Sequence, residues 1–338
     1  NKQAAKDSRK SFKEIEKSGK YLLGEFLDRF ELDFAKDQNV KYAVCVKNAT
    51  DALYMVFKLL DCHKRTIIIP EFGAYPTSIA AIQAGAKRII AAPVDKRLTL
   101  DLTNIEVPKD SIIVPVHLFG NQAEMSHIEK IARDTHSLII EDCAQSTGLE
   151  KSNYSFAAIH SFYPTKPLGS RGDGGSIISN NHNFIEKCKK ARFYGLDEGK
   201  VTEWGFNSRM DEWQAAFLIE KIKYYRGNNL IRLNNAREIL TNIQSRIDYT
   251  ENCVFHQLAI ICDNREKIVE SLTTNKIPTM IHYPKMLKDM PHLRSEIDFI
   301  VSNSRVSDNI LSIPVGPHLT RFEIEKIQNV LERFKHEL

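Results

Sequence analysis

Between residue 41 and about residue 180, short apolar runs rich in β-branched residues alternate with longer stretches of helical periodicity. The runs are KYAVCV, TIIIP, RIIAAPV, SIIVPV, HSLIIED and GGSIIS. Between them lie TDALYMVFKLL, TSIAAIQAGA and AEMSHIEKIARD, with apolar residues three and four apart. Met125, Ile128 and Ile131 make such a stripe, which reads as core packing. Runs without inner polar positions, alternating with helices, predict βαβ units and a mostly parallel sheet covered on both faces. After about residue 230 the helical stretches lengthen, and CVFHQLAIIC and PTMIHYP stand as isolated strand candidates. The expectation is a large α/β domain over residues 1–230, with an N-terminal helical segment, and a smaller α+β domain over 231–338. No internal repeat or low-complexity linker interrupts the pattern.

Composition narrows the picture. The 338 residues carry 47 basic and 43 acidic side chains, a net charge of +4 too small and scattered to point to nucleic acid. Lys2, Lys6, Arg9, Lys10 and Lys13 alternate with acids and other polar residues as a solvated helix face would. Six cysteines, far apart and without a CxxC, fit a reducing compartment, so a cytoplasmic protein is expected. No apolar run approaches the ~20 residues that span a bilayer, and no signal-peptide core stands at the start, so no membrane role is expected.

In open parallel sheets ligands sit beyond the carboxyl ends of the strands, so the residues that follow each run carry the search for function. After KYAVCV comes Asn48-Ala49-Thr50 at a helix start, where free N–H groups suit a phosphate and where Asn48 or Thr50 also suits a plain cap. Asp142 ends a wholly apolar run; a carboxylate there needs donors or a cation, whether from a structural turn or from a protonated ring of a ligand. Lys166 lies in SFYPTKPLGSRGDGG. Its glycines follow the lysine and lead into a strand, which excludes both GxxxxGK[ST] and the dinucleotide GxGxxG. A lysine used as a nucleophile remains. A desolvated amine can form a Schiff base with an aldehyde, and pyridoxal phosphate also needs the other two parts, a phosphate cradle and a carboxylate for its ring nitrogen. Hydroxyls for the phosphate are available in Thr50 and Ser161.

These motifs, with SGKYLLGEFLDRFELDFA, NATDAL, PVHLFGNQAEM, IIEDCAQ, GFNSRMDEWQAA, FHQLAI, IHYP and LSIPVGPHLT, run over nearly the whole chain. The sequence resembles the DegT/StrS family of pyridoxal-phosphate-dependent nucleotide-sugar aminotransferases. The resemblance implies the type I (aspartate aminotransferase) fold, a large domain with a seven-stranded-type sheet sandwiched by helices and a smaller C-terminal α+β domain. It implies that Lys166 holds the cofactor and shuttles a proton, that Asp142 pairs with the ring nitrogen and that Gln145 lies near the ring hydroxyl. Ala49, Thr50 and Ser161 would bind the phosphate. Asn207 or Arg209 would reach the phosphate held by the other chain of a homodimer with shared active sites. The implied substrates are L-glutamate and a nucleotide-linked keto-deoxysugar, for aminosugar, polysaccharide or natural-product biosynthesis.

The chain departs from the family in places. Asn48-Ala49 replaces Ser-Gly, Pro167 and Arg171 are unusual, and the stretch between Gln145 and Ser161 is short. Ala74 falls where an aromatic ring usually stacks on the cofactor, with Tyr75 one residue late and carried as the candidate stacker. Two other readings use the same fold. One is a non-catalytic or regulatory binding protein. The other is a sugar dehydratase, whose family members carry histidine in place of the lysine. His117 and His160 show no metal-ligand spacing, so structural or hydrogen-bonding roles and no metal are expected, and Cys143, with no base marked for it, is expected to be a packed thiol rather than a nucleophile. His282 and Tyr283 either border the substrate channel or pack in the core.

Overall fold

The computed structural model describes residues 2–300, 302 and 304–338. The β-branched runs become strands β1 (Tyr42–Val46), β2 (Thr66–Pro70), β3 (Arg88–Ala92), β4 (Ile112–Ile113), β5 (Leu138–Asp142) and β7 (Gly175–Ser179). Strand β6 (Ala157–Ser161), whose AAIHS sequence gives no β-branched signal beyond one isoleucine, fills the place between β5 and β7. Later come a short hairpin, β8 (Leu196–Asp197) with β9 (Lys200–Val201), then β10 (Leu258–Ile261), β11 (Asp298–Phe299) and β12 (Ile310–Ile313). The main sheet has eight strands in the order β1-β7-β6-β5-β4-β2-β3-β11, one more than the sequence implies. Strand β7 runs antiparallel to both neighbours, and the other pairs are parallel.

The helices are α1 (Lys2–Asp7), α2 (Arg9–Ser18), α3 (Glu25–Asp37), α4 (Ala49–Leu59), α5 (Pro76–Gln83), α6 (Met125–Asp134), α7 (His182–Ala191), α8 (Glu212–Ile239), α9 (Arg265–Thr274), α10 (Pro291–Glu296), α11 (Val306–Asn309) and α12 (Arg321–Glu332). Alternation along the strands decides which helices each face receives. Val44, Val46, Ile67 and Ile69 pack with α4, α5 and α7. Ala43, Cys45 and Ile178 face α3 and α8, while Ile68, Ile113 and Ile139 face α6. Both faces are dry, as a mostly parallel sheet requires.

A second core gathers β10, β12, α9, α12 and the end of α8. PTMIHYP forms no strand; only Met280 bridges, to Ser312 on β12. Helix α8 passes through residue 230 unbroken. The chain then returns to the large sheet, where Leu287, Leu293 and Ile297 join its core and β11 pairs with β3. At the other end of α8 the buried Glu212 carboxylate accepts the N–H groups of Gly24, Phe26 and Leu27, capping α3. Lys2, Lys6, Arg9, Lys10 and Lys13 face solvent on α1 and α2.

Candidate active site

Ends of β1, β5 and β6 converge on a cavity of about 450 Å³ lined by Ala49, Thr50, Asp142, Gln145, Ser161 and Lys166. Its floor is the start of α4. Asn48 is extended and its side chain accepts the Asp51 N–H at 2.8 Å, so capping is real. The cap leaves the N–H groups of Ala49 and Thr50 without an acceptor among the described residues. Strand β7 presses against this turn. A Cβ on Gly175 would lie 2.6 Å from the Ala49 nitrogen, so only glycine permits the approach. The cap consumes the third helical N–H and spares the first two, so capping here is compatible with an anion at the helix start.

Asp142, the last residue of β5, is buried. Its Oδ2 accepts from the Thr77 hydroxyl at 2.7 Å and its Oδ1 from the Ala144 N–H at 3.1 Å. Both bonds hold the carboxylate facing the cavity and leave lone pairs for a further donor. Lys166 is half-buried in the loop after β6. Burial pushes its amine down to about 8, with the Asp142 charge opposing the shift. An amine poised near neutrality both nucleophilic and basic is what this chemistry demands.

Gln145 is fully engaged: Oε1 accepts the Phe119 N–H at 2.7 Å and Nε2 donates to the Tyr283 hydroxyl at 2.7 Å. Phe119 supplies that N–H from a left-handed turn (φ 59°). Tyr283 is therefore tied to the cavity wall by a residue that lines it, and burial raises its phenol to about 12. Tyr163, 52% exposed, also lines the cavity.

One expected residue is missing from the lining, and two expected to serve the other chain lie apart from it. Tyr75 is absent from the lining and 53% exposed, whereas its neighbours Ala74 and Pro76 line the cavity. It stands on the turn into α5, with its phenol near enough to Tyr283 to help raise that group. Asn207 and Arg209 sit outside the chain's own cavity, Arg209 Nε bonding Asn207 Oδ1 at 3.0 Å with its guanidinium 4.8 Å from the Phe193 ring centroid. Thr77 gave no signal in the sequence, since it meets Asp142 only because the fold brings the start of α5 to the end of β5.

His117, Glu141 and Cys143 bring ligand-type atoms within 4.8 Å. Both His117 ring nitrogens are committed, Nε2 to Glu141 at 2.9 Å and Nδ1 to the Ala123 N–H at 3.1 Å, and burial keeps the Cys143 thiol protonated. That geometry reads as a hydrogen-bonded core cluster. His160, buried and driven down to about 3, is a neutral ring beside Thr147 Oγ1 at 3.2 Å.

The sequence profile of the DegT/DnrJ/EryC1/StrS aminotransferase family matches residues 2–334. The chain belongs to that family. It is 32% identical over 325 residues to the dTDP-3-amino-3,4,6-trideoxy-alpha-D-glucose transaminase of Streptomyces venezuelae, covering 90% of this chain and 86% of that one. DesV of S. venezuelae, solved with a bound intermediate, superposes with a TM-score of 0.90 at 25% identity, covering 100% of this chain and 96% of that one. NtdA of Bacillus subtilis, solved with bound pyridoxamine phosphate, gives 0.89 at 24% identity, covering 99% of this chain and 83% of that one.

This family member is a pyridoxal-phosphate-dependent aminotransferase of the type I fold. The cavity fits that cofactor on its own terms. Two free N–H groups and the Ser161 hydroxyl suit a phosphate, the buried Asp142 suits a protonated ring nitrogen, and the Lys166 amine stands in the same cavity.

Proposed function

We propose that this enzyme transfers an amino group from L-glutamate to the keto group of a nucleotide-linked deoxysugar, working in the cytoplasm as a homodimer with shared sites. The observation that carries the reading is the lowered Lys166 amine in one cavity with Asp142 and the open end of α4. The S. venezuelae transaminase, named for a dTDP-sugar, supports the acceptor class. Six buried free cysteines agree with a reducing compartment.

Each residue has a task. Ala49, Thr50 and Ser161 bind the phosphate, and Asp142, steadied by Thr77, keeps the ring nitrogen protonated. Bound pyridoxal phosphate supplies the electron sink that stabilises the carbanion left when the amino-bearing carbon loses its proton. Lys166 takes that proton and returns it, which a nitrogen titrating near 8 does efficiently close to neutral pH. Gln145 and Tyr283 hold the wall opposite. Asn207 or Arg209 completes the phosphate site of the partner protomer. Lys166 stands where the dehydratases carry histidine, which favours amino transfer.

The test is spectroscopic. The purified protein should absorb in the visible, lose that absorption on adding L-glutamate with release of 2-oxoglutarate, and regain it with a keto-sugar nucleotide. Lys166→Ala should fold and transfer nothing. A colourless protein, or one indifferent to glutamate, refutes the proposal.

A further inference from the structure

Residues three, four and seven apart share one side of a helix. On α8 these are Gln214, Phe217 and Lys221, and all three meet the segment that follows Lys166. Gln214 Oε1 accepts the Arg171 N–H at 2.9 Å. The Arg171 guanidinium lies 5.1 Å from the Phe217 ring centroid. Lys221 Nζ donates to the Gly169 carbonyl at 2.5 Å. One helix face thus grips both a donor and an acceptor of the same short segment.

Lys221 is an unusual lysine. It is only 5% exposed, and no carboxylate is among the groups acting on it. Lysine is almost never so buried without a partner, because its charge loses hydration. Burial, with Arg232 adding to it, drives its amine down to about 8. A methionine or leucine would fill the same space without that cost, so the amine is there for the bond it makes.

The loop it holds is closed at its neck. The Phe162 carbonyl accepts both the N–H and the hydroxyl of Ser170, each at 2.7 Å. The Lys166 N–H turns back to the Tyr163 carbonyl at 2.8 Å. Gly169 nests against the carbonyls of Tyr163 and Pro164, where a Cβ would collide. Lys166 therefore sits midway along a small loop, and the Gly169 carbonyl beside the neck is its point of attachment to α8.

We propose that Lys221 is a positioning residue for Lys166, anchoring the lysine loop to α8 through the Gly169 carbonyl so that the catalytic amine stays in register with the cavity. The proposal rests on the role given to Lys166 above. Loss of the anchor leaves a buried carbonyl unpaired and frees the loop to shift. A displacement of about 1 Å at a reacting group costs up to about 100-fold in rate.

Two variants remove the donor of the anchor: Lys221→Met keeps the length of the stem, and Lys221→Leu shortens it. Holoproteins of both are compared with the wild type by steady-state kinetics, by the pH midpoint of the visible absorption band, and by amide hydrogen exchange over residues 163–170. Both should show kcat lowered by roughly 10- to 100-fold with KM unchanged, a moved pH midpoint, and faster exchange in that segment. If one variant does not fold, the other carries the comparison. Native kcat or native exchange in a folded variant overturns the proposal. Exchange is read without substrate, so an inactive wild type would sink the transaminase reading and leave the anchor to be judged on exchange.

Discussion

Removing the Lys166 amine should change how stability depends on pH. In the cofactor-free chain the lysine falls from an ordinary 10.5 to about 8 through burial. The unfolded chain then binds more protons than the folded one between those values, so stability rises with pH across the window. It is fully gained above 10.5 and lost as pH falls through 8. With these values the gain between pH 7 and pH 9 is about 1.4 kcal/mol. Lys221 titrates in the same range with the same sign, so the wild type alone does not isolate the effect. Lys166→Met does: urea unfolding of both apoproteins at pH 7 and pH 9 should show the wild type gaining about 1.4 kcal/mol more than the variant. Equal pH dependence in the two proteins would mean that the Lys166 amine is not desolvated, and the reasoning from burial to reactivity would fail with it.

Two further outcomes follow from single contacts. Thr77→Val deletes the 2.7 Å bond to Asp142 Oδ2 at nearly constant volume; a hydrogen bond to a charged group is worth about 1.5–3 kcal/mol, so kcat should fall by roughly 10- to 100-fold, and an unchanged kcat would show that the carboxylate needs no such support. Mixing the inactive Lys166→Ala with a doubly substituted Asn207→Ala, Arg209→Ala protein should restore activity through hybrid dimers holding one intact site, whereas mixtures no more active than their parts would place those two residues outside the partner's site.

How much of this was legible in the sequence depended on the range of the interaction. Strands β1, β2, β3 and β5 announced themselves because buried parallel strands need uninterrupted apolar side chains. Strand β6 did not, since Ala157, Ala158 and His160 owe their extended form to the neighbours that flank them. PTMIHYP carried apolar residues yet became a loop, because its segment meets β12 at one bridge only. In the site, Asn48, Asp142, Ser161 and Lys166 lie at strand ends, where topology alone directs attention. Thr77 joins through a bond spanning 65 residues that no local pattern encodes, whereas Tyr283, already offered by IHYP, is fixed at the wall by a bond spanning 138. Lys221 was visible as a lysine two turns beyond Gln214, but its meaning required knowing that the helix backs onto the lysine loop.

Helix α8 begins by capping α3 through Glu212, grips the loop of Lys166 at its second and third turns, and ends in the core of the C-terminal body at Ala236 and Ile239. The C-terminal core and the loop that carries the Lys166 amine thus attach to a single rod. Any tilt of the C-terminal body on substrate entry is transmitted along that rod unless it bends, and Gly227, near its middle with open space where a side chain would be, is the natural place for bending. Whether such a tilt reaches the loop of Lys166 therefore depends on α8 staying straight past Gly227.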